Sequence, residues 1–321
     1  MKMEDTILYI VIPCYNEQEG LENTAKVLQK KMQQLMGDNK ISYRSRIMFV
    51  NDGSKDATWE IIKRLHSENN LFTGISLSRN RGHQNAILAG MITAKQIADA
   101  IITMDADLQD DVDVIPQMID KFLEGNDIVY GVRASRETDT LFKRTTALVF
   151  YKLMNWLGVE CVYNHADYRL MSKRAVDGLE KFKEVNLFLR GMIPLVGYKS
   201  AKVEYNRKER SFGTTKYPLK AMINLALNGI TSLSVKPIRI ITRLGLIIFL
   251  LSLVALIYIV YVKLTGRAAV GWSSIVVSIW LLGGLQLLAI GIIGEYIGKI
   301  YLETKHRPRY IIEESLLEEN N

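Results

Sequence analysis

The sequence predicts an α/β domain with a mostly parallel sheet, followed by a C-terminal apolar hairpin. Three observations carry this prediction. Short β-rich runs alternate with helix-patterned stretches five times before residue 133, the signature of strands joined by covering helices. Each of the first four runs ends in a polar cluster, and in open sheets of this kind ligands sit at the carboxyl ends of the strands. The last third of the chain holds two uncharged stretches, about 244–262 and 270–294, each long enough to span hydrocarbon.

The elements follow in order. Ile7–Ile12 (ILYIVI) reads as a buried strand stopped by Pro13, with a turn over Tyr15–Glu19. Leu21–Met36 carries Leu21, Ala25, Leu28, Met32 and Leu35 at helical spacing. Ile47–Val50 is the second strand and ends in Asn51-Asp52-Gly53-Ser54, where Ser54 or Asp56 can cap a helix over Ala57–Glu68. Phe72–Leu77 is the third strand. It ends in Ser78–His83, with a helix from Gln84 to Gln96. Ala100–Met104 is the fourth strand and runs into Asp105, Asp107, Asp110 and Asp111. Val114–Leu123 is helical, and Asp127–Val132 is a strand that ends at Arg133.

Beyond Arg133 the pattern loosens. Arg133–Arg144 is basic, and Phe142–Leu157 has the spacing of an amphipathic helix. His165–Leu170 (HADYRL) reads as irregular, Ser172–Lys181 as a helix, Leu187–Val196 as an apolar helix carrying Arg190, and Lys199–Tyr205 as a strand. Arg207–Lys216 is a Gly-containing basic loop. Tyr217–Leu233, with Lys220 as its only charge, has the pattern of a helix lying in a membrane interface. The boundaries read from this are a catalytic-type α/β domain at 1–216, an interfacial helix at 217–236, a transmembrane hairpin at 237–300 and a tail at 301–321. Lys236, Arg239 and Arg243 flank one end of the hairpin, and Lys299, Lys305, Arg307 and Arg309 the other, whereas the connector holds only Lys263 and Arg267. By the positive-inside rule both flanks are cytoplasmic, which makes this a multi-pass protein of the plasma membrane with its large domain in the cytosol. Two buried helices of a soluble domain are the competing reading, disfavoured because two adjacent uncharged runs of this length are rare in soluble chains. The spacing Gly294-x-x-x-Gly298 permits close helix packing, within the hairpin or between copies.

Composition narrows the classes. The chain has 321 residues, a formal charge of +7 and only two cysteines, Cys14 and Cys161. The positive balance suits an anionic substrate or an anionic membrane surface. No stripe of Lys and Arg interleaved with aromatics and no zinc spacing is present, which disfavours nucleic acid. Two cysteines make no disulfide framework and suit a reducing compartment. The first apolar run is short and ends in Pro13 and Glu17, unlike a secretory signal. No G-x-G-x-x-G follows the first strand, which disfavours a dinucleotide enzyme.

The stretch Ile101–Asp111 (IITMDADLQDD) carries the sharpest chemistry. Charges at the end of a buried strand are costly unless paired or bound to metal. Asp105 and Asp107 point to one side of an extended chain. Two hard oxygen ligands there can hold Mg²⁺ or Mn²⁺, which in turn holds a diphosphate. Taken alone, a D-x-D is equally a loop of solvated acids. The basic segments 133–144 and 207–216 supply a second anion site, and the interfacial helix puts that anion at the membrane surface. A soluble nucleotide donor and a lipid phosphate would meet there.

In order, PCYNE at 13–17, NDGSKD at 51–56, SRNRGHQNAILAG at 78–90, MDADLQD at 104–110, DYRLM at 167–171 and RSFGTTKY at 210–217 resemble the inverting glycosyltransferases of family 2 with a GT-A fold. Within that family they are most similar to the polyprenyl-phosphate glycosyltransferases, the bactoprenol glucosyltransferase and dolichol-phosphate mannose synthase-like enzymes. GEYIGKIYLETKHRPRY at 294–310 resembles the membrane-anchored bacterial branch, and the Q-x-x-R-W signature of processive polysaccharide synthases is missing. The resemblance implies a GT-A domain over 1–216. It also implies transfer of a sugar, glucose or N-acetylglucosamine on UDP, to undecaprenyl phosphate for cell-envelope glycosylation. Pro13, Tyr15 and Glu17 would lie beside the base and ribose, with Asp52 bonding a uracil-type base and Arg79 in the same substrate site. Asp105 and Asp107 would bracket the metal and the donor diphosphate, while Gln109 and Asp110 face the sugar. Arg133, Arg136, Arg207, Arg210, Ser211 and Lys216 would hold the acceptor phosphate and the diphosphate, and Arg169 would join the substrate-binding residues. Asp167 takes the position often given to a catalytic base. Because a lipid phosphate is already ionised at neutral pH, Asp167 is as readily a group that orients Arg169 or the acceptor, or a structural acid paired with Arg169. His83 and His165 have no second His at ligand spacing. Family relatives imply a homo-oligomer. A membrane-tethered nucleotide-sugar binder without catalysis is the reading from another class; it would have no need of the acids and the basic loop, and both are intact.

Overall fold

A computed structural model describes residues 6–134, 165–206, 234–264 and 271–317. Its centre is a sheet of eight described strands: β1 (Leu8–Cys14), β2 (Arg46–Asn51), β3 (Phe72–Leu77), β4 (Ala100–Thr103), β5 (Ile128–Arg133), β6 (His165–Ser172), β7 (Ser200–Tyr205) and β8 (Ile312–Ser315). Their order across the sheet is β7-β5-β6-β4-β1-β2-β3-β8. Six strands run the same way, while β6 and β8 run against them. The mostly parallel α/β sheet expected from the sequence is therefore present.

Its central strands are buried on both faces, so they read as continuous apolar runs. Alternation with period two still sorts them. Leu8, Ile10 and Ile12 of β1 point into one core, and Tyr9 and Val11 into the other. The first core is covered by α1 (Leu21–Gly37), α2 (Thr58–Glu68) and α4 (Ile115–Leu123), and α1 buries the apolar face its spacing predicted. The second is covered by α3 (His83–Ala94), α5 (Lys173–Glu180) and α6 (Leu189–Leu195). Helix α3 is buried almost all round, from Ala86 to Met91, because it lies between the sheet and α5. Gly90 is where α3 meets β1 and β2: a Cβ there would strike side-chain methyls of Val11 and Val50.

Two expectations are corrected. β1 does not stop at Pro13; it continues to Cys14, paired with β2 alone. β4 has ended at Thr103, opposite Val11, so Pro13 sits where the ladder is one-sided and a missing N–H is tolerated. The segment 165–170 is not irregular but forms most of β6, which inserts antiparallel between β4 and β5. Its polar residues hid a central strand. The last helix, α8 (Trp272–Thr304), runs past the uncharged stretch into the charged segment that follows it. The tail at 301–321 contains β8, which pairs antiparallel with β3.

The C-terminal helices are α7 (Lys236–Leu264) and α8. They contact each other, and both expose large apolar side chains, among them Leu250, Leu251, Val254 and Ile257 on α7 and Leu287, Leu288 and Ile290 on α8. Among the described residues, one helical stretch, Leu282–Thr304, is long and apolar enough to cross a membrane. The predicted helices at 142–157 and 217–233, and the basic loop 207–216, lie outside the described residues.

Gly90→Ala is expected to lower the unfolding midpoint of the purified protein by the equivalent of about 1–3 kcal/mol, the usual cost of overpacking a core. Gly37→Ala, whose Cβ meets open space, is the control and leaves the midpoint unchanged or raised.

Candidate active site

The topology brings the chemistry to one edge. Parallel strands β1 to β5 end there. Because β6 runs the other way, its beginning lies at that same edge, with Arg169 opposite Thr103. Asp167, two residues earlier, is thereby set beside Asp105, just past the end of β4. This proximity depends on the antiparallel insertion.

Asp167 is buried and densely held. Its Oδ1 accepts from Arg169 Nη2 and its Oδ2 from Arg190 Nη2 at 2.9 Å, with Arg190 Nε 3.3 Å from Oδ1. His83, at the start of α3, places Nε2 3.6 Å from Asp167 and 3.4 Å from Asp105. Burial alone would raise the Asp167 pKa, but Arg190, His83 and Arg169 outweigh it and hold the carboxyl well below the usual range. Burial would likewise lower the pKa of His83, yet its two carboxylate neighbours raise it.

Asp105 and Asp110 sit on the other side of the balance. Burial, with the charges of Asp167 and Asp107 behind it, raises Asp105 despite His83. The side chain as a whole is 37% exposed, but its Oδ1 is buried, and the His83 Nε2 at 3.4 Å is not aligned to donate to it. Burial and the charge of Asp105 push Asp110 up to about 7, although Tyr205 donates to it at 2.6 Å and Arg133 is close. Asp107 accepts the backbone N–H of Gln109 at 3.2 Å. Leu108, between them, has φ +54°, a left-handed conformation that is strained for a bulky residue and typical of functional turns. Among the described residues no three His, Cys, Asp or Glu groups converge as a ready metal cage. The residues nevertheless fit a divalent cation. Mg²⁺ usually keeps several waters and is bound through one or two carboxylates and the substrate's phosphates, and Asp105 presents a buried oxygen whose nearest donor, His83 Nε2 at 3.4 Å, makes no aligned hydrogen bond to it.

Along the same edge of the sheet, over the ends of β2 and β3, lies an open cavity of about 420 Å³. Tyr15, Gly53, Ser54, Lys55 and Arg79 line it. Its rim is held by side chain to backbone bonds: Asn16 N–H to Ser54, Glu17 N–H to Thr58, and Gln18 N–H to Asp56. Gly53 has φ +62°, and a Cβ there would collide with the backbone of Arg79 and Asn80.

The predicted residues fall into three groups. Asp105, Asp107, Gln109, Asp110, Arg133 and Asp167 gather at the acidic edge, and Tyr15 and Arg79 line the cavity. Pro13 and Asp52 are buried, and Glu17 is half-buried. Asp52 is 2% exposed, and its two oxygens accept the backbone N–H groups of Arg81 and Gly82 at 2.7 and 2.9 Å, so it shapes the loop at 78–82. Arg169 requires a correction as a substrate contact: it is 0% exposed behind Asp167 and acts as a positioning residue. Arg136, Arg207, Arg210, Ser211 and Lys216 lie outside the described residues. Sequence reasoning missed Tyr205, which ends a strand like any core tyrosine, and Glu313, which comes from a distant tail.

Because Asp110 is raised from 3.8 to about 7, the native state binds more protons than the unfolded state between those values, and stability falls as pH rises through that window. Asp110→Asn keeps an acceptor for Tyr205 and removes the titration. Thermal unfolding is expected to show the variant gaining on wild type as the pH is raised from about 5 to about 8. An offset that does not change with pH would contradict the buried acid.

The family model of glycosyl transferase family 2 matches residues 9–179. The chain is similar to the uncharacterized glycosyltransferase YkoT of Bacillus subtilis, 53% identical and covering 99% of this chain and 95% of that protein. It is 43% identical to the prophage bactoprenol glucosyl transferase homolog of Escherichia coli K12, over 94% of this chain and 97% of the other. To the bactoprenol glucosyl transferase of Shigella phage SfV it is 41% identical, over 94% and 97%. The chain belongs to glycosyl transferase family 2 and is a glycosyltransferase.

Proposed function

We propose that this member of the family transfers a sugar from a nucleotide sugar to a polyprenyl phosphate at the membrane surface, with inversion at the anomeric carbon. The observation that carries the reading is the acidic edge at 105–110, on the same edge of the sheet as an open cavity over β2 and β3. The names of the relatives at 41–43% identity support it, with undecaprenyl phosphate as acceptor and UDP-glucose ahead of UDP-N-acetylglucosamine as donor.

An oxygen of the lipid phosphate attacks the anomeric carbon in line, the bond from that carbon to the diphosphate breaks, and the nucleoside diphosphate leaves. No proton has to move, because the attacking phosphate is already ionised. That fits an Asp167 held as a carboxylate by two arginines, which leaves it a poor base. Its work is to fix Arg190 and His83 at the edge where charge develops, an electrostatic role. Asp105 and Asp107 would hold Mg²⁺ or Mn²⁺, and the cation would supply positive charge for the departing diphosphate. Gln109 and Asp110 face the sugar, and Tyr15 and Arg79 the nucleoside. Arg133, with Arg136, Arg207, Arg210, Ser211 and Lys216, would receive the acceptor phosphate. The helices at 237–300 serve as a transmembrane hairpin, spanning about 244–262 and 270–294, with both ends cytoplasmic and the helix at 217–236 in the interface. In this arrangement the active edge works on the cytoplasmic side of the plasma membrane, and the product serves cell-envelope glycosylation.

A transfer assay tests this directly. Purified protein in detergent, undecaprenyl phosphate and Mg²⁺ or Mn²⁺ are offered a panel of radiolabelled nucleotide sugars, and counts in the organic phase are read. One sugar is expected to partition with the lipid. Asp107→Ala is expected to lower the rate by about a hundredfold or more, the scale of losing a transition-state charge contact, with membrane insertion intact. Tight nucleotide binding with no lipid product for any sugar would favour the tethered binder instead.

A further inference from the structure

The donor cavity is not made by the N-terminal domain alone. One of its walls is Glu313, which the chain reaches only after both C-terminal helices. Strand β8 pairs Ser76 with Glu314 and Leu77 with Ile312, so Glu313 is the extra residue of a β-bulge. A bulge breaks the alternation of side chains and re-aims the bulged residue, and bulges are over-represented beside active sites. Here the bulge falls where Ser76, Leu77 and Glu313 line the same cavity.

The surrounding contacts fix this tail in place. Trp59 Nε1, on another wall, donates to Glu314 at 2.7 Å. Ser78 N–H donates to the Ile311 carbonyl at 3.0 Å, and Arg81 Nη2 to the Pro308 carbonyl at 2.9 Å. On the far side of the bulge, Leu316 N–H donates to the Gly74 carbonyl at 2.8 Å. The loop at 78–82, which Asp52 holds from one side, is thus held from the other by the tail.

Distance and charge together identify the part of the donor that Glu313 meets. The ends of β2 and β3 lie two and three strand spacings from β4, roughly 10–14 Å at about 4.8 Å each. A diphosphate at the acids of β4 would reach the cavity with its nucleoside, not with its phosphates. A carboxylate repels phosphate and accepts hydrogen bonds, which matches the N–H and O–H donors of a base and ribose. We infer that Glu313 is a specificity-determining residue that accepts a hydrogen bond from the nucleoside of the donor, and that the C-terminal strand is a structural part of the donor site. The inference rests on the glycosyltransferase reading above and adds to it a residue from beyond the membrane segment.

The test uses the full chain in detergent with Mg²⁺, comparing wild type, Glu313→Gln and Glu313→Ala. Calorimetry measures the binding of UDP, GDP and CDP and, separately, of inorganic pyrophosphate. For the nucleotide that wild type binds best, Glu313→Ala is expected to weaken binding about tenfold, the scale of one charge-assisted hydrogen bond. Glu313→Gln, which retains an acceptor, loses less. Pyrophosphate binding and the unfolding midpoint do not change. In turnover, donor KM rises by the same factor and kcat stays within about twofold, the pattern of lost ground-state binding. Unchanged nucleotide affinity in both variants would overturn the inference and leave the glycosyltransferase reading standing. A parallel loss of nucleotide and pyrophosphate binding would overturn it as well, since that reports general damage to the site. Wild type that binds none of the three nucleotides would bring down both.

Discussion

Carboxylates at the end of a buried sheet are the constraint that the rest of this structure accommodates. Asp105, Asp110 and Asp167 crowd one edge, and each is costly there without a partner. Asp167 is satisfied inside the fold, by the fully buried Arg169 and by Arg190. Asp105 and Asp110 are held less fully: Asp110 accepts from the Tyr205 hydroxyl, the buried Asp105 Oδ1 has His83 Nε2 at 3.4 Å without a well-aligned hydrogen bond, and both carboxyls are raised. The fold thus neutralises one acid and leaves two in a state that an arriving cation would relieve. This division separates a positioning acid from acids available to a ligand, although all three are the same residue type.

The topology supplies what the pairing needs. Only a strand that enters the sheet backwards can set its beginning beside the ends of its neighbours, and β6 does so between β4 and β5. That reversal places Asp167 near Asp105 and sends Arg169 into the core behind it. Helix α6 then delivers Arg190 from the cover layer on the same face of the sheet as α3. The last helix reaches the same region: Glu303, near the end of α8, accepts the backbone N–H groups of Val185 and Asn186, just ahead of α6, at 2.7 and 3.1 Å. The chain then crosses to the other edge of the sheet as β8. One C-terminal segment therefore touches both the support of the acidic edge and the wall of the donor cavity. In the proposed arrangement, the membrane anchor and the site are mechanically continuous.

Much of this was legible in the sequence because buried parallel strands announce themselves. ILYIVI, FTGISL and AIIT are apolar on both faces and end in polar clusters, so strand order in the chain and the location of the site followed together. β6 was not legible. HADYRLM mixes an aspartate, an arginine and a tyrosine into a central strand, and the pairing of Asp167 with Arg169 and Arg190 lets those charges be buried. The role of Asp52 was obscured for a similar reason, since its partners are backbone N–H groups of a loop 29 and 30 residues away. β8 was hidden because IIEES in a charged tail has no pattern of its own; the edge of β3 gives it one. Family resemblance supplied the chemistry that neither spacing nor periodicity could have assigned.

The central claim of the proposed function is that the acids at 105–110 are the seat of a cation shared with the donor's diphosphate. The most direct measurement is a Mn²⁺ titration of the full-length protein, followed by electron paramagnetic resonance, with and without UDP. The account predicts that UDP tightens Mn²⁺ binding, as linkage requires when both occupy one site, and that Asp105→Asn removes the tightening. Equal Mn²⁺ affinity with and without UDP, or an Asp105→Asn variant that behaves as wild type, would contradict it.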